Sequence, residues 1–127
     1  MGARKVLSEE RGSVTVEFFL VIPMLVLVLA AGLSAVSVAR ARVELLGAVR
    51  DGARVAATTP DPAKAVATVQ EGLAPEMRSR VRVAVSRPAV VGRLARVTAT
   101  MSHPLGPPFP SGFVVEVRAS ASMAVER

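Results

Sequence analysis

Residues 11–39 read Arg-Gly-Ser-Val-Thr-Val-Glu-Phe-Phe-Leu-Val-Ile-Pro-Met-Leu-Val-Leu-Val-Leu-Ala-Ala-Gly-Leu-Ser-Ala-Val-Ser-Val-Ala. From Phe18 to Ala39 no side chain is charged. As a helix rising about 1.5 Å per residue, that run is about 33 Å long, enough to cross a hydrocarbon core about 30 Å thick. Glu17 stands at its lip, where a carboxylate is costly and calls for a partner. Residues 18–39 therefore read as a membrane span.

Outward from this run, residues 1–12 form a short polar leader with Arg4, Lys5 and Arg11 set against Glu9 and Glu10. Between 13 and 57 the one strong helix breaker is Pro23, which a membrane helix tolerates. Past Ala39 the pattern turns amphipathic. Leu45, Leu46, Val49, Ala53 and Ala56 recur at helical spacing, with Arg40, Glu44, Arg50, Asp51 and Arg54 between them. A single helix over 13–57 is expected, half in lipid and half in water with one apolar stripe to cover. Arg50-Asp51-Gly52-Ala53-Arg54 reads as a solvated helix face with tight packing at Gly52.

Asp61-Pro62 predicts an N-cap and first-turn proline for a second helix. Its modest apolar face is Ala63, Val66, Ala67, Val69, Gln70 and Leu73, and Gly72 and Pro75 end it. The period then drops to two. Residues 80–86 alternate with valines on one face; in 94–101, Ala95, Val97, Ala99 and Met101 share a face. In the third run Phe113, Val115, Val117, Ala119, Ala121, Met123 and Val125 oppose Glu116, Arg118, Ser120 and Ser122. Met101 and Met123 are expected in the core. A proline-rich loop over 103–112 joins the last two runs, with His103 on its surface. The expected fold class is α+β: a long N-terminal transmembrane and amphipathic helix, a short second helix, and a three-stranded antiparallel sheet. The domains are a leader over 1–12, the helix over 13–57, and an α+β part over 58–127.

Composition excludes much. Without cysteine the chain has no disulfide, no thiol nucleophile and no thiolate metal site. Without Trp or Tyr, and with four Phe, it offers little to an aromatic ligand pocket or to stacked bases. The net charge of +6 is spread along the chain with acidic residues interspersed, and no recognition-helix pattern accompanies it, so no nucleic-acid partner is expected. His103 has no acidic neighbour in sequence, the serines lie in no nucleophile elbow, and the glycines form no phosphate cradle. The reading is of a protein that is not an enzyme, with no catalytic residue, metal, cofactor or small-molecule substrate.

Three accounts of the N-terminus compete. It is a plain anchor of a single-span protein with a small binding domain; a secretory signal cut near Ala39-Arg40-Ala41; or a processed pilin-like helix. Signal cores run about 7–15 residues, and this apolar run is longer. The third account rests on a resemblance. Gly12, four uncharged residues, Glu17 and an unbroken apolar helix resemble the processing site of type IV pilin-like proteins. Residues 11–23 are similar to the start of TadE-like minor pseudopilins of the tight-adherence (Tad/Flp) pilus system, commonly RGxxxVEFALVLP. Residues 49–57 resemble that family's AAREGARAAA stretch, with Asp51 in place of Glu, and residues 119–126 resemble its terminal strand.

The resemblance implies cleavage between Gly12 and Ser13 by a prepilin peptidase, a methylated new N-terminus, and retention of the apolar helix. It makes Glu17 the fifth residue of the mature chain, where it would neutralise an α-amino group in an apolar assembly. The implied partners are the peptidase, other pilins and pseudopilins, the inner-membrane assembly platform and the membrane. Basic residues on both sides of the span leave the positive-inside rule nearly balanced. The resemblance implies a cytoplasmic leader, an extracytoplasmic α+β part over 58–127, a place in the bacterial cell membrane, and incorporation in, or priming of, the pilus. The chain's length, beyond that of a bare-helix major pilin, favours the minor role.

Overall fold

The computed structural model describes residues 2–126, with side chains from Gly12 onward. Helix α1 runs Gly2–Thr58 without interruption, through the predicted leader and past Pro23. Helix α2 follows at Pro62–Glu71 and a one-turn α3 at Pro75–Arg78; strands β1, β2 and β3 span Val81–Ser86, Leu94–Pro104 and Val114–Ala124. The expected α+β architecture is present, with an antiparallel sheet in the order β1-β2-β3.

Local chemistry accounts for the boundaries. Asp61 caps α2, its carboxylate accepting from the Ala63 N–H at 3.0 Å, and Pro62 begins the helix. The helix stops at Gly72, whose N–H donates to the Thr68 carbonyl at 3.1 Å. Pro75, read from sequence as a terminator, instead opens α3, because a proline lacks the N–H that a first-turn residue leaves unpaired. The α2 face also differs from expectation. Ala65, Val69 and Leu73 are buried at an i, i+4, i+8 spacing, while Ala63, Ala67 and Gln70 face out.

The core lies between α1, α2 and one face of the sheet. Leu45, Val49, Ala53 and Ala56 of α1 meet Val69 of α2 and Ala95, Val97, Ala99 and Met101 of β2. Val117, Ala119 and Val125 close it from the third strand and its exit. Cross-strand register puts Val83 opposite Ala99 and Ala99 opposite Ala119, so the valines of β1 share that face. Met101 is buried as expected. Met123 is not: on the edge strand β3 it is exposed, although Val125, two residues further on, is buried.

The contact between sheet and helix reaches further toward the apolar run than the pattern suggests. Strand β2 continues through His103 and Pro104, which pair with Val115 and Val114, so the loop is shorter than its composition implies. The pairing survives because Pro104 is the strand's last residue, where a missing N–H costs little. The buried stripe of α1 also starts earlier than Leu45. It begins at Ser34, inside the apolar run, and continues through Val38 and Ala41.

Candidate functional site

From Gly12 to Leu29 every residue of α1 is exposed, among them Phe18, Phe19, Leu20 and Ile22. Apolar side chains cover all sides of this stretch, so no single face is reserved for a partner within the chain. A helix apolar all round has only lipid or other apolar helices as stable surroundings. It is the one helix among the described residues long and apolar enough to cross a membrane.

The sequence-predicted site residues occupy the start of this bare rod. Gly12, Ser13 and Glu17 are exposed and helical. Ser13 and Glu17 are one turn apart and share a helix face. A Cβ added at Gly12 would meet nothing within 4 Å, so nothing in this fold demands glycine there. Gly52 behaves oppositely. A Cβ there would lie 2.5 Å from Val69 Cγ2 and 3.3 Å from the Ala65 carbonyl oxygen, because α2 crosses α1 over that residue. The tight packing read from the sequence at Gly52 is present.

The second half of the site is where the folded part grips the apolar run. Ser34 Oγ donates to the Pro107 carbonyl at 3.0 Å, and Ser37 Oγ and His103 Nε2 are 2.9 Å apart. His103 is thus no free loop residue; it is half-buried near the end of β2 against α1. Sequence reasoning did not single out Ser34, Ser37 or Pro107, and it placed His103 on the loop surface rather than against the helix. The available signal was two serines three residues apart interrupting an otherwise apolar run, matched by a distant loop free of charge. Among the described residues, no group of three or more His, Asp and Glu is arranged to hold a metal ion.

Comparison with known proteins bears on this same helix. The family model of TadE, described as TadE-like protein, matches residues 12–54. The match starts at Gly12 and takes in Glu17, the bare rod and Gly52; the terminal-strand resemblance at 119–126 falls outside it. Neither a curated protein nor a solved structure matches the chain.

Proposed function

We propose that this chain, TadE-like over residues 12–54 and so tied to the Tad pilus system, is a minor pseudopilin that takes part in assembling a Tad/Flp type IV pilus. The observation that carries this reading is that the matched segment contains the stretch the fold leaves bare. Such a helix stands in the inner membrane as a monomer and passes to the company of other pilin and pseudopilin helices during assembly. The role is structural, and the cutting chemistry belongs to a prepilin peptidase.

In this reading the peptidase cuts between Gly12 and Ser13 on the cytoplasmic side. The openness around Gly12 supports it: glycine there is free to serve an enzyme's cleft rather than the protein's own packing. Cleavage leaves an α-amino cation on Ser13, and Glu17 follows at the fifth position. Either charge alone among apolar helices carries a desolvation cost of several kcal/mol, and pairing with a neighbour's opposite charge offsets it. The pair thereby rewards one register of neighbouring helices over its alternatives.

The deciding experiment is the N-terminal residue of the protein isolated from membranes of its native host. Ser13, methylated or not, is the expected start. A start at Met1 or Gly2 supports the plain single-span anchor instead, and a start near residue 40 supports a secreted protein. Gly12 replaced by a bulkier residue should block processing. Glu17→Ala should be cut normally and fail to assemble; normal assembly of that variant refutes the charge-pairing account.

A further inference from the structure

The sheet lies along α1, and this brings an apolar hairpin tip to the membrane side of the molecule. Near the far end of the domain, the Glu126 N–H donates to the Ala57 carbonyl and Arg87 Nε to the Ala56 carbonyl. At the near end, Pro107 accepts from Ser34. Strand β3 extended to Val125 covers about 36 Å at 3.3 Å per residue. Helix α1 covers about 34 Å from Ser34 to Ala57 at 1.5 Å per residue. The two lengths agree, so the β2–β3 tip lands beside residues 34–37. That contact point lies about 7.5 Å along the helix below Ala39, the last residue of the charge-free run.

The chemistry of the tip suits that depth. Between Pro104 and Val115 there is no charged residue. Phe109, Phe113 and Val114 leave 41%, 56% and 56% of their surfaces exposed. The backbone is partly adapted to low water. Pro104, Pro107, Pro108 and Pro110 have no N–H to leave unpaired. Leu105, Phe109 and Phe113 donate theirs to the carbonyls of Phe113, Gly106 and Pro110 at 2.9, 3.2 and 3.3 Å. Three of the six N–H groups of residues 105–113 are thus paired within the chain, which suits an interfacial depth where water reaches the others rather than the hydrocarbon core. One turn further along α1, the exposed Arg40 and Arg42 stand where phosphate headgroups would be.

We propose that residues 105–114 form an interfacial membrane anchor, in which the β2–β3 tip enters the headgroup and upper acyl region of the leaflet from which α1 emerges. Phe109, Phe113 and Val114 contact lipid, and the Ser34–Pro107 and Ser37–His103 contacts hold the tip to the helix at that level. The domain is thereby fixed in orientation on the bilayer rather than swinging on its helix. The inference rests on the reading of α1 as a membrane anchor. It adds a second lipid contact, remote in sequence from the first.

The chain contains no tryptophan, so single-tryptophan variants report depth directly. Phe109→Trp, Phe113→Trp, Leu25→Trp in the bare helix and Ala84→Trp on the outer sheet face are reconstituted as full chains. The bilayers carry phosphatidylcholine brominated near the headgroup end of its acyl chains. Leu25→Trp tests the membrane helix itself. Both tip variants should lose about half their emission or more, as for rings seated roughly 5–10 Å into the interface, while Ala84→Trp is unchanged. Tip emission no more quenched than that of Ala84→Trp, with Leu25→Trp quenched, overturns the anchor and leaves the membrane helix standing. A tip that is blue-shifted but unquenched points to a second copy covering it, and overturns the proposal equally. If Leu25→Trp is itself unquenched, the membrane reading falls and the anchor with it.

Discussion

Gly52→Ala separates what helix propensity favours from what packing permits. In the interior of a helix, alanine is about 1 kcal/mol better than glycine. The added methyl, however, would sit 2.5 Å from Val69 Cγ2 and 3.3 Å from the Ala65 carbonyl oxygen. Val69 is fully buried and β-branched, so its χ1 has little freedom to move the methyl aside. Relief requires α2 to retreat from α1, which loosens Ala65, Val69 and Leu73 together. Overpacking costs about 1–3 kcal/mol, and an approach this close to a rotamer-locked methyl belongs at the upper end, about 2–3 kcal/mol, so after the propensity gain a net loss of about 1–2 kcal/mol remains. Gly47 is the control. It is buried in no contact a Cβ would disturb, with nothing within 4 Å of one, so Gly47→Ala should gain about 0.5–1 kcal/mol. Thermal unfolding of the full chain in detergent, read by circular dichroism, should shift by roughly 4–8 °C per kcal/mol, downward for Gly52→Ala and upward for Gly47→Ala. A double-mutant cycle then tests the cause. Val69→Ala removes the obstructing methyls, so its loss of about 2 kcal/mol and that of Gly52→Ala should fall short of adding by about 1 kcal/mol. A Gly52→Ala protein as stable as the parent, or strict additivity in the cycle, refutes the packing argument.

Asp61→Ala removes the acceptor of the Ala63 N–H and should cost about 1 kcal/mol in the same unfolding assay, with Asp61→Ser recovering most of it. Arg87→Met deletes the 2.8 Å bond to the Ala56 carbonyl at the end of α1; a loss of about 1.5–3 kcal/mol is expected, with faster hydrogen exchange near residues 54–59. Ser34→Ala leaves the Pro107 carbonyl without its donor, and should cost about 1–2 kcal/mol. Its effect should be confined to the tip, seen as faster exchange at Leu105 and Phe109 with the amides of Ala95–Ala99 unchanged.

Much of this architecture is legible in the residues alone. Period 3.6 giving way to period 2 places both main helices and all three strands, since the two spacings sort side chains onto faces differently. Asp61-Pro62 marks its helix start because a capping carboxylate and a proline both answer the unpaired first-turn N–H groups. Met123 and the α2 face depart from expectation for a common reason. Alternation and helical spacing say which residues share a side, but not how far the opposing element extends to cover that side. Met123 lies on the inner face by pattern, but on an edge strand, and is exposed between the half-buried Ala121 and the buried Val125. Ala65 is buried only because α2 crosses α1 at Gly52.

By itself, the sequence determined the apolar run, the carboxylate at its lip, the two main helices and three strands, and the TadE-like resemblance, which the family match bears out over residues 12–54. These follow from local composition and spacing, which do not depend on where the rest of the chain goes. Only the tertiary structure decided that the buried stripe begins at Ser34, that Gly52 is a crossing point, and that the proline-rich tip comes to rest against the apolar run. The Gly52 crossing depends on where α2 returns over α1; the other two depend on β3 and the stretch of α1 from Ser34 to Ala57 having nearly equal lengths and lying side by side. That relation joins residues more than seventy positions apart, and no window along the chain contains both.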